Sequence, residues 1–298
     1  MTAVSRDRPS ATTRAEYRIA ELSDRAAIRR LLEPQRPYTA YALAQLDPRM
    51  FPSNTWYLSA GPNGQALLVH SKSPMGNALF ALGDATALDA ALSLHPGPRF
   101  AFGSLMLEHK AIVRKYFLLT RPQVMLRMTV RADSFQPVEA TAQRLATPDV
   151  AAINRLYSAE GGPTAYRAEH LSDAVYYGIY EGHDLISIAG THVVSAAERI
   201  AVVGNVFTHP RYRGRGLAKA TTSAVTQDLL RDCDLVALTV EEENEPAVAV
   251  YSGLGYETQC KLHETPLVRK EPIGVLSFVR RTLAGWRGRR EGKEVVAR

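Results

Sequence analysis

A short loop rich in glycine and arginine constrains the fold of this chain more than any other segment. Residues 211–216 read Arg-Tyr-Arg-Gly-Arg-Gly, after an apolar segment typical of a strand and before a segment over 217–231 whose apolar residues recur at helical spacing. A helix N-terminus presents N–H groups that have no partner within the helix, and it carries the positive end of the helix dipole. Glycine lets such a backbone approach an anion without a Cβ in the way. The loop therefore predicts a phosphate-binding turn between a strand and a helix.

The residues around the loop exclude two other phosphate-binding patterns. A P-loop carries Gly-Lys followed by Ser or Thr, and this triplet does not occur after Gly216. The dinucleotide fingerprint has a third glycine where this chain has Lys219. A surface turn that is merely rich in arginine remains the alternative when the loop is taken alone.

A second segment, 244–256, has a pattern that belongs with the loop. Together the two segments resemble the GNAT superfamily of N-acyltransferases, in which a Gln/Arg-x-x-Gly-x-Gly/Ala coenzyme motif precedes an Asn-x-x-Ala-x-x-x-Tyr-x-x-x-Gly-aromatic helix. The matching positions of the second motif are Asn244, Ala247, Tyr251, Gly255 and Tyr256. Two motifs in this order, with a predicted helix and strand between them, are more specific than either alone. Residues 176–187 are also loosely similar to the glycine N-acyltransferase branch.

The order of predicted elements is the same in the two halves of the chain. Over 138–270 it runs strand, helix, three strands, helix, strand, helix and strand, and 17–133 repeats it. The resemblance and this repeat predict an α/β (α+β) fold of two tandem GNAT-like units, each a mixed, mostly antiparallel twisted sheet flanked by helices. Residues 1–16 are predicted to be a disordered N-terminus, and 271–298 a basic C-terminal tail that can form a helix.

The first unit is predicted to be degenerate. It has no Arg-x-x-Gly-x-Gly segment, and Asp84 precedes the predicted helix Ala85–Leu94 at the corresponding place. An aspartate there caps the helix and puts negative charge where a phosphate would lie. We therefore expect 17–133 to have a structural role and 138–270 to be the catalytic domain.

The resemblance implies acetyl-CoA, or another acyl-CoA, as the co-substrate. Strands Arg199–Phe207 and Leu235–Val240 are then expected to part and admit the pantetheine arm, and a backbone N–H near Phe207 is expected to stabilise the oxyanion. Asn244 is suited both to binding that arm and to capping its own helix. The implied coenzyme-binding residues are Val206, Phe207, Thr208, Arg211, Arg213, Gly214, Arg215, Gly216, Leu217, Ala218 and Asn244.

Two catalytic groups are implied by the same resemblance. Tyr251 is the candidate general acid for the departing thiolate, and a core tyrosine is the alternative. Glu241, at the end of a predicted strand, is the first choice for the base that takes a proton from the amine. Asn205 stands where many relatives place an acidic residue, so the identity of the base stays open. The other candidates for the base are Glu242, Glu243, His192 and Asp184.

Composition limits the other function classes. The net charge of +6 resides in the segment from Thr265 onward, which has nine Lys or Arg and three Glu, so the body of the chain is balanced and no nucleic acid is expected as a partner. No apolar run approaches the roughly 18–20 residues of a membrane helix, so no membrane partner is expected. The two cysteines, Cys233 and Cys260, exclude a disulfide framework and favour a cytoplasmic location. The eight histidines show no zinc-binding spacing, so no metal is expected.

We therefore predict a cytoplasmic N-acyltransferase that acts on the amine of a small molecule, as a monomer or homodimer. A non-catalytic acyl-CoA-binding regulatory module and a protein or peptide N-acetyltransferase are the alternatives. Residues 272–290 are compatible with an amphipathic helix for acidic lipid or nucleic acid, or with a helix docked on the body of the protein, and we favour the docked helix.

Overall fold

The structure is a computed structural model that describes residues 17–73, 76–139, 141–162, 164–172, 174–271, 274, 276–283 and 296–297. The predicted disordered N-terminus, 1–16, lies outside the described residues. The first unit contains, in chain order, β1 (Tyr17–Leu22), α1 (Arg25–Leu32), α2 (Ala40–Ala44), β2 (Asn54–Gly61), β3 (Gly64–Ser73), β4 (Gly76–Gly83), α3 (Ala85–Leu94), β5 (Phe100–Met106), α4 (Lys110–Tyr116), β6 (Phe117–Leu119) and β7 (Gln123–Val130). The second unit contains β8 (Gln143–Arg144), α5 (Val150–Ser158), α6 (Glu169–Ser172), β9 (Tyr177–Glu181), β10 (Asp184–Ser195), β11 (Ile200–Thr208), α7 (Leu217–Leu229), β12 (Leu235–Glu241), α8 (Glu245–Ser252) and β13 (Glu257–Arg269). A helix α9 (276–283) and a short strand β14 (Val296–Ala297) follow.

All of these strands belong to one mixed sheet. Its order is β14-β1-β2-β3-β4-β5-β13-β7-β12-β11-β10-β9-β8, with β6 paired to β13 beside this path. The pairs β4–β5 and β11–β12 are parallel, and the other described pairs are antiparallel. The repeated order of elements and the mixed sheet confirm the predicted fold class.

The last strand of each unit pairs within the other unit's half of the sheet. Strand β7 of the first unit is hydrogen-bonded to β12, and β13 of the second unit is hydrogen-bonded to β5. The two exchanged strands also pair with each other. The sheet therefore joins the two predicted repeats, 17–133 and 138–270, through a shared centre, and these boundaries stay a prediction.

The first strand of the second unit is shorter than the sequence indicates. A strand over Val138–Leu145 is predicted, but β8 comprises only Gln143–Arg144. At Val138 the backbone N–H donates to Oγ of Ser223 in α7 at 3.0 Å instead of to a neighbouring strand.

Apolar side chains from both units form a shared core on one face of the sheet. Ile28 of α1 and Leu43 of α2 belong to the same buried cluster as Val202 of β11 and Ala237 of β12. Burying a side chain such as Ile or Leu contributes about 1.5–3 kcal/mol. Helices of the first unit thus cover the sheet of the second unit and hold the two units in a fixed relation.

A buried ion pair crosses this seam between the units. The side chain of Glu198, in the turn between β10 and β11, is only 3% exposed. It accepts a hydrogen bond from Nε of Arg29 at 2.8 Å and a second one from Nη2 of the same residue. Arg25 lies 3.7 Å from this carboxylate, and Arg36 donates to the Glu198 carbonyl oxygen at 2.8 Å. The carboxylate therefore ties α1 to the turn before β11.

Arg29→Ala is expected to lower the free energy of unfolding by about 2–3 kcal/mol, because it leaves the buried Glu198 carboxylate without its bidentate partner. Urea denaturation followed by circular dichroism measures this change. Lys115→Ala is the control, since it removes the exposed partner of Asp89 and is expected to cost less than about 1 kcal/mol. Equal losses in the two variants would contradict a structural role for the seam pair.

Three histidines of the first unit are kept neutral by burial. Nε2 of His70 donates to the His95 carbonyl oxygen at 2.9 Å, and Nε2 of His109 donates to the Gly83 carbonyl oxygen at 2.8 Å. Burial lowers the pKa of His70 and of His109. Burial, together with the charge of Arg281, lowers the pKa of His95 from 6.5 to about 4.

Thermal stability is therefore expected to fall as the pH is lowered from about 6.5 towards 4. In this interval the unfolded chain binds protons at these histidines that the folded chain does not, so acidification favours unfolding. Calorimetry at pH 7 and pH 5 is expected to show a melting temperature several degrees lower at pH 5. His95→Gln, which cannot titrate, is expected to reduce that difference, and an unchanged difference would contradict the role of His95.

Helix α9 forms most of the basic tail that the structure describes. Arg281 donates to the carbonyl oxygen of Leu94 at 2.5 Å, and Ser277 lines a recess of about 610 Å³ next to Tyr57 and His95. Phe278 also lines this recess but is 62% exposed. Residues 284–295, which include most of the basic residues of the tail, lie outside the described part, so the role of the tail remains a prediction.

Among the described helices, none has the length and apolar character needed to cross a membrane.

Candidate functional site

The glycine-rich loop leads into a helix N-terminus that lacks a side-chain cap. Gly214 and Gly216 have φ angles of +77° and +75°, a conformation that glycine adopts at little cost. Gly216 is the N-cap residue of α7, and no side-chain hydrogen bond caps this turn within the described residues. A Cβ built on either glycine would meet nothing within 4 Å, so the space beside the loop is open. The first turn of α7 can therefore receive an anion from outside the protein.

The corresponding helix of the first unit is capped by the protein itself. Asp84 accepts hydrogen bonds from the backbone N–H groups of Thr86 and Ala87 at 2.9 and 2.8 Å. An anion at this helix would have to displace the carboxylate and overcome its charge. The predicted cap by Asp84 is confirmed, and it distinguishes α3 from α7.

The three arginines of the loop have different surroundings. Arg213 forms an ion pair with Glu160, and its Nε donates to the Thr208 carbonyl oxygen at 3.3 Å. Arg215 lies 3.5 Å from a carboxylate oxygen of Glu181. Arg211 is exposed, and its side chain forms no ion pair with the residues that the structure describes. Arg211 is therefore the loop cation most available to a bound anion.

Strands β11 and β12 part just before the loop. Their parallel pairing ends at Val203 and Leu238, although β11 continues to Thr208 and β12 to Glu241. On its other edge β11 remains paired with β10 as far as Phe207 and Thr208. Within the described chain, the edge of residues 204–208 that faces β12 is left without a strand partner. An extended ligand can add to such an edge through main-chain hydrogen bonds.

A β-bulge interrupts β11 at Asn205, which has a φ angle of +54°. Such a φ angle is uncommon for a residue with a side chain, and here surrounding hydrogen bonds hold it. Oη of Tyr157 donates to the Asn205 carbonyl oxygen at 2.6 Å, and Nδ2 of Asn205 donates to Oη of Tyr176 at 2.8 Å. A bulge turns backbone groups out of the strand ladder. The bulge can therefore present a fixed N–H donor to the gap between β11 and β12.

Tyr251 lies in the apolar cluster beside the parted strands. Its side chain is buried in a cluster that contains Val240 of β12 and has Val206 of β11 packed against it. Burial raises the pKa of the Tyr251 hydroxyl to about 12, so it keeps its proton at neutral pH. Both predicted roles of Tyr251, core packing and proton donation, fit this position. Asn244 caps α8, because its Oδ1 accepts the backbone N–H of Ala247 at 3.2 Å.

The carboxylate candidates for the base lie at the surface. Glu241 and Glu243 are exposed at and after the end of β12, and Glu242 forms an ion pair with Lys261. Asp184 is exposed at the start of β10. None of these carboxylates is hydrogen-bonded to the bulge of β11 in the described part of the chain.

His192 of β10 is the candidate base that the structure places at the bulge. Its Nε2 lies 3.3 Å from Oδ1 of Asn205, and a Cβ built on Gly204 would be 2.3 Å from the imidazole ring. Nδ1 of His192 makes a short contact with the hydroxyl of Tyr41. Desolvation in this recess lowers the pKa of His192 and Arg127 lowers it further, against the opposing effect of the Asn205 hydrogen bond.

Tyr41 and Arg127 lie beside His192, although the sequence alone did not indicate them. Tyr41 lies in α2 of the first unit, and Arg127 lies on the exchanged strand β7 with its guanidinium 5.0 Å from the centre of the Tyr41 ring. Arg127 is completely buried, and its nitrogens make no hydrogen bond of good geometry with the described residues. No motif marks either residue. The one available signal was a charged residue inside the otherwise apolar strand 124–130.

The described residues contain no cluster of metal-ligating side chains, and the thiol of Cys233 is buried. Among the described residues, no group of three or more His, Cys, Asp or Glu side chains could hold a metal ion. Cys233 and Cys260 are free cysteines, and burial raises the pKa of Cys233 to about 11, which disfavours a thiolate.

Comparison with known proteins finds a family match within the second unit. Residues 147–256 match the Acetyltransferase (GNAT) family. Over 52 residues the chain is 42% identical to an acetyltransferase of Yersinia pestis, a match that covers 17% of this chain and 37% of the relative. Over 51 residues it is 41% identical to an acetyltransferase of Pectobacterium atrosepticum, with 17% and 36% covered. The chain thus spans little more than a third of the length of these curated relatives.

Solved structures share the fold over both units. A Drosophila protein is similar with a TM-score of 0.63 and 14% identity, over 84% of this chain and 98% of its own. A GCN5-related N-acetyltransferase from Kribbella flavida has a TM-score of 0.55 and 17% identity, over 79% and 95%. The segment 147–256 thus matches the GNAT family of acetyltransferases, and these solved structures show that the chain shares their fold.

Proposed function

We propose that this protein transfers an acyl group, in the first place acetyl, from acyl-CoA to the amine of a small molecule. The observation that carries the proposal is the open N-terminus of α7, with Gly214 and Gly216 before it, next to the gap between β11 and β12. A diphosphate at this position would accept N–H bonds from the first turn and would lie at the positive end of the helix dipole.

The residues around the loop fit the coenzyme. Leu217 and Ala218 supply backbone N–H groups of the first turn, and the exposed Arg211 supplies positive charge. The pantetheine arm would pair with the unpartnered edge of residues 206–208 in the manner of an added strand. Asn244 follows β12 on the other side of the gap. Its Oδ1 caps α8, so its Nδ2 group can bind the arm.

The proposed reaction is direct attack of a neutral amine on the thioester carbonyl. The C–N bond forms, the C–S bond breaks, and the negative charge on the carbonyl oxygen is stabilised by a backbone N–H of the bulge near Phe207. Tyr251, whose buried hydroxyl is protonated at neutral pH, donates its proton to the departing sulfur. Glu241 remains the predicted base, but its exposed position gives that assignment little support.

The cellular setting and the acceptor belong to the same proposal. The two free cysteines fit a reducing cytoplasm. We propose a small amine as the acceptor and a protein that acts as a monomer or homodimer.

Release of CoA from acetyl-CoA over a panel of amines tests the proposal. The panel contains glycine, spermidine, glucosamine, phenethylamine and a short peptide with a free N-terminus, and mass spectrometry identifies the product. We expect turnover of at least one small amine. Turnover of the peptide alone would favour protein N-acetylation, and binding of acetyl-CoA without any turnover would favour a regulatory acyl-CoA-binding module.

A further inference from the structure

We propose that Tyr41 of the first unit and His192 of the second unit form the proton-accepting dyad for the acceptor amine, with Asn205 and the buried Arg127 as positioning residues. The inference rests on the proposed function and deepens it. It means that the first unit, which lacks a coenzyme loop, supplies a catalytic residue and that the site is incomplete without it.

A chain of hydrogen bonds fixes the tautomer of His192. Nδ2 of Asn205 donates to Oη of Tyr176 at 2.8 Å, so Asn205 turns its Oδ1 towards His192. Nε2 of His192, 3.3 Å from that oxygen, must therefore carry the ring proton. Nδ1 keeps its lone pair and accepts a hydrogen bond from the hydroxyl of Tyr41 in their short contact.

The dyad is accessible to a substrate, whereas Arg127 is not. His192 is exposed and Tyr41 is partly exposed, next to the bulge where the thioester is proposed to lie. Arg127 is 0% exposed and lies beneath the ring of Tyr41. A substrate can therefore touch Tyr41 and His192, while the buried Arg127 acts on the dyad from beneath the Tyr41 ring.

Burial and the charged groups on the neighbouring strands keep both members of the dyad neutral before the substrate binds. Desolvation and Arg127 on β7 lower the pKa of His192, so the ring is neutral at pH 7 and can accept a proton. Burial raises the pKa of Tyr41, Glu264 on β13 raises it further, and Arg127 lowers it. Tyr41 thus remains a phenol that passes a proton on rather than a stable phenolate.

The proton transfers balance over the reaction. An ammonium acceptor gives one proton to Oη of Tyr41 while the hydroxyl proton of Tyr41 moves to Nδ1 of His192. This leaves a neutral amine, an unchanged phenol and an imidazolium that returns its proton to solvent. After the amine has attacked, Tyr251 protonates the sulfur and is itself reprotonated by the second proton of the nitrogen.

Steady-state kinetics of Tyr41→Phe, His192→Gln and the double variant test the dyad, with acetyl-CoA and the fastest amine of the panel. Each single substitution is expected to lower kcat at pH 7 about 100-fold. The double variant is expected to lose about as much as either single variant, since the two residues act as a unit. The deficit is expected to shrink towards pH 9.5, where the amine loses its proton to solvent, and the Kd of acetyl-CoA by calorimetry is expected to stay unchanged.

Tyr38→Phe is the matched control, because it lies just before α2 and removes a buried hydrogen bond of 2.6 Å to the Ala81 carbonyl oxygen without touching His192. It is expected to lose stability but to keep kcat. Tyr41→Phe keeps the aromatic ring over Arg127, and circular dichroism verifies that both variants are folded.

Nitrogen NMR of the imidazole rings gives a second test that needs no acceptor. The signals of His192, assigned by their loss in His192→Gln, are expected to show the Nε2–H tautomer and a pKa below about 6.5. An Nδ1–H tautomer, or a kcat of Tyr41→Phe within about threefold of wild type at all pH values, would overturn the dyad alone. Absence of both acetyl-CoA binding and amine turnover in the wild-type protein would overturn the proposed function and the dyad with it.

Discussion

Gly216→Val is expected to raise the dissociation constant of acetyl-CoA at least about 100-fold. Gly216 is the N-cap of α7 at a φ angle of +75°, and a valine there would distort the turn and fill the open space beside it. Loss of two hydrogen bonds to a charged diphosphate, each worth about 1.5–3 kcal/mol, accounts for an effect of this size. Isothermal titration calorimetry with acetyl-CoA measures it.

Gly182→Val is the matched control for backbone strain. Gly182, in the turn between β9 and β10, has a φ angle of +60° and likewise has nothing within 4 Å of a Cβ built on it. Both variants are expected to lose about 1–2 kcal/mol of stability from the left-handed conformation. Only Gly216→Val is expected to lose acetyl-CoA binding, and an unchanged Kd in that variant would contradict the phosphate site.

Tyr251→Phe is expected to lower kcat about 100-fold while the Kd of acetyl-CoA stays within a small factor of wild type. The substitution keeps the buried ring and removes only the proton proposed for the departing thiolate. Single-turnover kinetics with acetyl-CoA and the active amine separate this chemical step from binding.

The neighbouring Tyr256 offers a matched control for Tyr251. It is buried in the same cluster, and its hydroxyl lies 2.7 Å from Oγ1 of Thr226. Tyr256→Phe is expected to cost about 1 kcal/mol of stability and to leave kcat unchanged. A kcat of Tyr251→Phe close to that of Tyr256→Phe would assign Tyr251 to core packing alone.

The parts of the site that the sequence predicts are those whose signals are local. A strand end, a Gly-x-Gly turn and a helix follow one another within residues 206–218, so their relation is set by the chain itself. The caps formed by Asp84 and Asn244 are local in the same sense, because each side chain bonds to N–H groups two or three residues later. The position of the glycine-rich loop at the end of β11 follows from the short segment 206–218.

The parts that the sequence does not predict depend on contacts between distant segments. Exchange of β7 and β13 between the two halves of the sheet leaves no local mark, because an apolar strand suits either neighbour. Tyr41 and His192 are 151 positions apart and meet only because α2 covers β10 and β11. Arg127 reaches the same recess only through the strand exchange.

The candidate base suggested by the sequence pattern differs from the one that the structure favours. Glu241 is suggested by its place at a strand end, but that place leaves its side chain exposed. Asn205 lies in the region of the proposed dyad, since the bulge and its partner His192 are there, although the residue itself cannot accept the proton of an amine. The structure therefore favours the recess between α2, β10 and β11, rather than the end of β12, as the position of the proposed base.

A crystal structure of the protein with bound acetyl-CoA tests the coenzyme site most directly. We predict diphosphate oxygens at about 2.7–3.2 Å from backbone nitrogens within 214–218, and the pantetheine arm in the gap between β11 and β12. Acetyl-CoA bound elsewhere on the protein, with the first turn of α7 making no phosphate contact, would contradict the proposed site.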